Sequence, residues 1–201
     1  MPSRIDICNR ALARIGAEVL QSEGAPGAEQ VLLAYDSVLE VILAIKPWKF
    51  TMWTAPLTRA TNEQASGWWA YQYLLPADRV GVPRTVYSRA GGQPFTDYEL
   101  SRTHLLTNAE TIWMRYQRDP TGLVWPPLVV ECVVLSLAGD LAVVLRDNLG
   151  LRSQFKAEVF GDPTRPGDGG LIQRAATQDA QSGPSPVLQN DGGPLITSRF
   201  S

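Results

Sequence analysis

A chain of 201 residues has room for one hydrophobic core, or one core carrying a sizeable insertion. Hydrophobic residues make up 44% and charged residues 19%, a balance that excludes a mostly disordered chain. With 18 Lys+Arg against 20 Asp+Glu the formal charge is −2, and no basic run stands out, which excludes tight non-specific gripping of nucleic acid.

The opening Met-Pro-Ser-Arg-Ile-Asp-Ile lacks a basic start followed by an apolar run, and no later stretch escapes charge over the ~20 residues of a bilayer span. The expectation is a soluble chain made in the cytoplasm, with no membrane partner. Ser3 can cap a helix starting at Arg4, in which Ile5, Cys8, Leu12 and Ile15 recur at spacings of three and four until Gly16 stops it. After a loop containing Ser22, Gly24, Pro26 and Gly27, a longer pattern sets Val31, Tyr35, Val38, Ile42 and Ile45 on one stripe, widened by Leu32 and Leu39. Glu29, Asp36 and Glu40 occupy its other face, and Pro47 ends it.

From residue 48 to 119 the period of 3.6 disappears, and Trp, Tyr, Thr and Val alternate in short runs broken by Gly and Pro. The predicted strands are Lys49 to Thr54, Trp69 to Leu74, Arg84 to Ser88, Asp97 to Leu100, His104 to Thr107 and Thr111 to Tyr116, with hairpin turns at Gly91-Gly92 and Thr107-Asn108. Pro126-Pro127 then opens a third helix. Leu128, Cys132, Leu135, Ala142 and Leu145, flanked by Val129, Val133, Val134, Leu141, Val143 and Val144, make it apolar around most of its circumference, as suits the centre of a bundle or a subunit interface. Asn148 and Gly150 weaken it, and Leu151 to Phe160 form a further helical segment. The expected class is α+β: a mainly α-helical bundle from residues 1–47 and 120–161, an inserted β-sheet region over 48–119, and an extended C-terminal arm over 162–201. Beyond one or two helical turns allowed between Leu171 and Ala180, the arm is rich in Gly, Pro, Ser, Gln and Asp and ends in apolar Leu195, Ile196 and Phe200. Such a segment reads as a binding arm that orders on a partner.

Little in the sequence points to chemistry. There is no phosphate loop of the G-x-x-x-x-G-K type, no H-E-x-x-H and no paired C-x-x-C, so neither a catalytic residue, a metal nor a cofactor is assigned. His104 is the one histidine and stands between Thr103 and Leu105 with no nucleophile motif near it. Cys8 and Cys132 sit within apolar helical patterns and read as buried free thiols. A glycosidase needs two carboxylates across one cleft. Glu131 and Asp140, nine residues apart on one helix, point to opposite faces roughly 13 Å apart, and pairing with arginines is the simpler reading. The six tryptophans, Trp48, Trp53, Trp68, Trp69, Trp113 and Trp125, offer a stacking platform for single-stranded nucleic acid or sugar, but nucleic-acid platforms interleave Lys and Arg and none stands around Trp68-Trp69, so core and interface anchoring is the simpler reading.

Three fragments in this order carry a resemblance: Ile7-Cys8-Asn9-Arg10-Ala11-Leu12-Ala13-Arg14-Ile15-Gly16, then Lys46-Pro47-Trp48-Lys49-Phe50, then Tyr73-Leu74-Leu75-Pro76-Ala77-Asp78, with Tyr116 and the apolar third helix following. Over residues 3 to 160 the layout resembles the tail tubular protein A type of head-to-tail adaptor from short-tailed bacteriophages, with relatives in long-tailed phages and gene transfer agents. The resemblance implies a non-enzymatic virion protein, made in the host cytoplasm and assembled as a ring of twelve copies between a portal protein and a tail nozzle protein, with DNA passing through the channel without sequence-specific binding. On this reading Leu195, Ile196, Arg199 and Phe200 are the expected portal contacts, and the loop Gly91, Gly92, Gln93, Pro94 and Phe95 faces the tail. The alternatives are a tail-associated peptidoglycan hydrolase, a head-completion adaptor of a long-tailed phage or gene transfer agent, and an interaction module unrelated to phage.

Overall fold

The computed structural model describes residues 3–60, 67–162, 164 and 169–182. Helix α1 (Arg4–Arg14) opens on a reciprocal cap: Ser3 Oγ accepts from the Asp6 amide at 3.1 Å, and the Asp6 carboxylate accepts from the Ser3 amide at 2.8 Å. The bond from the Ser3 amide, with the Ser3 hydroxyl adding to it, holds the Asp6 carboxyl below its usual range. Ile7, Cys8, Ala11 and Leu12 form the buried stripe, so Ile5 sits at the edge of the face expected to bury it. Helix α2 (Ala28–Ile45) buries Val31, Tyr35, Val38 and Ile42 as its spacing requires. Its last buried residue is Leu43, and Ile45 is exposed, because the helix ends there and the chain turns toward the sheets.

Helix α3 (Pro127–Arg146) is the centre of the bundle. It is long and apolar enough to cross a membrane by composition, but twelve of its residues are buried against α1, α2, and the two helices that follow it. Those are α4 (Leu149–Phe160), capped by Asn148 Oδ1 on the Leu151 amide at 2.9 Å, and α5 (Gly170–Gln181). The fold class is α+β, as expected, but the arm expected to be extended from Asp162 onward is helical over 170–181. Ile172 and Ala175 enter the main core, and Asp179 is buried. Gly170, at φ 56°, permits this turn: a side chain there would run into the backbone of Val159 and Gly161.

The β region lies between α2 and α3 in sequence. After a 3-10 turn at Lys49–Thr51, where a strand was expected to begin, come β1 (Met52–Pro56), β2 (Thr58–Arg59), β3 (Tyr71–Leu74), β4 (Arg79–Tyr87), β5 (Tyr98–Leu100), β6 (His104–Thr107) and β7 (Trp113–Arg118). They form two antiparallel sheets, in the orders β1-β7-β4 and β2-β3-β6-β5. Leu57, Tyr73, Val86, Leu105, Ile112, Met114 and Tyr116, drawn from both sheets and the links between them, make a second core. Thr107-Asn108 is therefore not a hairpin turn but a corner between sheets. Thr107 Oγ1 donates to the Asp97 carbonyl at 2.9 Å, and Asn108 Oδ1 accepts from the Ala70 amide at 2.8 Å, so side chains satisfy backbone that a hairpin would have paired.

The two cysteines are free and buried. Burial raises the Cys8 thiol from its ordinary 9.0 to about 11 and the Cys132 thiol to about 12. The folded protein thus holds these protons at pH values where the unfolded chain has released them. Their contribution to stability is complete below pH 9 and is lost as pH rises through the folded values. Native protein at pH 8 should leave both thiols unreacted with a disulfide reagent over the time in which a denatured sample reacts at two sites, and the melting temperature should fall between pH 9 and 11. Rapid native labelling of either thiol would contradict the burial.

Candidate functional site

The residues singled out by the sequence meet at the joints of the fold. Asn9 donates from Nδ2 to the Leu20 carbonyl at 2.9 Å and accepts from the Leu20 amide at 2.7 Å, fixing the link between α1 and α2. Arg10 and Arg14 each reach Glu131 of α3 at 2.6 Å. Trp48 is fully buried, and its indole N–H donates to the Ile42 carbonyl at 2.8 Å. Phe50 lies between Trp48 and Trp125, with ring centroids 6.4 and 6.1 Å away. Tyr116 donates to Asp78 at 3.2 Å, and Arg118 pairs with the same carboxylate at 2.9 Å, joining the end of the Tyr73–Asp78 fragment to β7. Gln117 Nε2 donates to the Leu43 carbonyl at 3.1 Å, tying the first sheet to the end of α2.

The two carboxylates weighed as a hydrolytic pair serve separate ion networks. Glu131 is held by Arg10 and Arg14 from α1, whereas Asp140 is held by Lys156 at 3.0 Å and Arg152 at 3.7 Å from α4. They face different helices and share no cleft. His104 is half-buried on β6, with Thr103 Oγ1 2.9 Å from Nδ1. Among the described residues, no group of three His, Cys, Asp or Glu side chains is placed to hold a metal ion. A recess by the α1 N-terminus, about 570 Å³, is lined by Ser3, Arg4, Tyr35, Asp36, Asp119 and Trp125, and there Arg4 is already paired with Asp36 and stacked on the Tyr35 ring.

The proposed tail-facing loop is a sharp return after β4: Pro94 bridges to Tyr87, and the Phe95 amide donates to the Val86 carbonyl at 2.8 Å. Gly91, at φ 65°, Gln93 and Pro94 form the exposed tip, while Phe95 packs on the second core and anchors the loop. Leu195, Ile196, Arg199 and Phe200 lie outside the described residues.

A feature that periodicity missed is the outer face of α2. Leu33 is 63% exposed, Val41 55% and Ile45 46%, and they share that face with Glu29, Asp36 and Glu40 and with no basic residue. The signal was present in the spacing of Leu33, Ser37, Val41 and Ile45, a second apolar stripe beside the buried one. Phe160 of α4 and Val41 border the same cavity of about 50 Å³. Ser136 lines it too, and its buried hydroxyl has no hydrogen-bond partner among the described residues. No protein-family model matches this chain, and no curated protein matches it.

Proposed function

We propose that the chain is a structural, non-enzymatic subunit of a bacteriophage head-to-tail connector ring, bridging a portal above and a tail nozzle below around a channel for DNA. The observation that carries the reading is the outer face of α2. Three large apolar side chains stand in water there on a helix whose opposite face is already satisfied by the core, and a ring of identical subunits needs each copy to offer such a surface to its neighbour. The three sequence fragments that resemble the adaptor family support it independently, since Asn9, Arg10, Arg14 and Trp48 hold joints of the helical bundle, and Asp78 with the nearby Tyr116 holds a joint of the β region. A hydrolase reading draws no support from Glu131 and Asp140, which are occupied by different helices. The net charge of −2 suits a channel subunit that must let DNA slide, because many phosphate contacts would retard it.

Val41→Asp tests the role of the face. The side chain is more than half exposed, so the monomer should melt within a few degrees of the parent, surface changes typically costing under about 0.5 kcal/mol. Side-by-side assembly on a portal should be lost, read as the disappearance of the ring-sized species in light scattering. Normal ring assembly by this variant would remove the α2 face from the account.

A further inference from the structure

Glu131 and Asp140 mark two sides of α3, since nine residues at ~100° each leave them about half a turn apart around its axis. Arg10 and Arg14 of α1 cover the Glu131 side, each 2.6 Å from that carboxylate, with side chains 47% and 52% exposed. Two guanidinium groups on one carboxylate leave a positive excess facing solvent. Ala13, on the same face of α1, is exposed beside them. The Asp140 side carries α2, because Val38, Val41 and Ile42 border one small cavity with Ser136 and Asp140. From there α2 turns Leu33, Glu40, Val41 and Ile45 away from α3. The bases beside this second flank are engaged, Lys156 with Asp140 at 3.0 Å and Lys46 with Asp179 at 2.9 Å. Glu40 has no ion-pair partner among the described residues. The bundle thus has a basic flank and, across α3 from it, an apolar and acidic one.

Two different, complementary surfaces on opposite flanks are what a closed ring of identical subunits requires. Rotation about an axis along the bundle keeps every residue at its own height, so partners must be level. Glu131, where both arginines end, is five residues from Ser136, about 7.5 Å along α3. Ser136 borders the same cavity as Val41, the chain neighbour of Glu40, and an arginine side chain bridges such an offset. Glu29 is ruled out as the partner. Val31 shares a groove with Leu145, so the start of α2 lies at the opposite end of α3 from Glu131.

We propose that Arg10 and Arg14 of one copy dock on the α2 face of the next, where Glu40 receives the guanidinium groups while Val41 and Ile45 pack against Ala13. This pairing rests on the connector reading and names the second surface that the ring needs. The apolar side chains supply attraction, and the charges decide which flank meets which. The test is ring formation on the portal encoded beside the chain, followed by light scattering and electron microscopy for the full-length parent, Glu40→Arg and Arg14→Glu. Each variant alone sets like charges in every contact, and should need at least about tenfold more protein than the parent to form the ring. An equal mixture restores opposite charges in every contact of an alternating ring, and should assemble at the parent's concentration. If the mixture does no better than either variant while both melt near the parent, the pairing is wrong and the connector reading stands. Should Arg14→Glu melt far below the parent beside Glu131, Arg14→Gln takes its place, since Arg10 still holds that carboxylate. It should weaken ring formation, and assembly at the parent's concentration would overturn the pairing. A parent that forms no ring on the portal removes the connector reading, and this pairing with it.

Discussion

Replacing Trp48 by alanine should destabilise the protein by about 3–5 kcal/mol, the range for removing a large buried aromatic, and lower the melting temperature by roughly 10 °C in a chain of this size. The side chain is fully buried, with Phe50 against it and the Lys46 ammonium 5.1 Å from the ring. Its indole N–H also serves the Ile42 carbonyl, one of the last carbonyls of α2, which a helix end leaves without an internal partner. Trp48→Phe separates the two effects. It keeps most of the apolar contact and removes the donor, so about 1–3 kcal/mol should be lost through the buried carbonyl. A loss under 1 kcal/mol for Trp48→Ala, measured by thermal or denaturant unfolding, would mean that this joint does not hold the bundle to the sheets.

Two truncations should behave in opposite ways. A chain ended after Gly161 loses α5, and with it Ile172 and Ala175 from the main core and the Asp179 carboxylate. Asp179 is 1% exposed and accepts from the Lys49 amide at 2.9 and 3.1 Å and from Lys46 Nζ at 2.9 Å. Removing one partner of a buried ion pair costs about 3–5 kcal/mol, and the lost apolar contacts add to it, a large share of the roughly 5–15 kcal/mol that stabilises a domain. This shorter chain should be largely unfolded or aggregated. A chain ended after Ser182 keeps every one of these contacts. It should melt close to the parent and yet fail to dock on a portal, because Leu195, Ile196, Arg199 and Phe200 are gone. If the longer truncation docks as well as the parent, the arm has no part in portal binding.

The helices were legible because their apolar residues recur at three and four, and the all-round apolarity of Leu128 to Val144 correctly marked the central helix. Boundaries slipped where a tertiary contact decides the face. Ile45 matches the stripe, but the α2 end turns Leu43 inward and lets Gln117, 74 residues on, take its carbonyl. The sequence over 171–180 predicts at most a turn or two of helix, because Gly and Pro flank α5 and its buried face, Ile172, Ala175 and Asp179, includes an acid whose partners lie about 130 residues away. Strand positions came through as alternation, but not their division into two sheets, since the polar side chains at Thr107 and Asn108 bond equally well to a hairpin or a corner. At the candidate site the fragments Asn9 to Arg14, Lys46 to Phe50 and Tyr73 to Asp78 were recognisable as a set. Their roles as joints needed the pairing of residues more than 100 apart, such as Arg10 with Glu131. The exposed stripe on α2 was hidden because a single helix carries two apolar stripes, and the sequence does not say which one the core takes.

The connector reading is tested most directly by mixing the purified chain with the portal encoded beside it and determining the symmetry of the product by electron microscopy. The account predicts a closed ring of this protein stacked on the portal and sharing its symmetry. A protein that stays monomeric and unbound in the presence of an intact portal ring would contradict it.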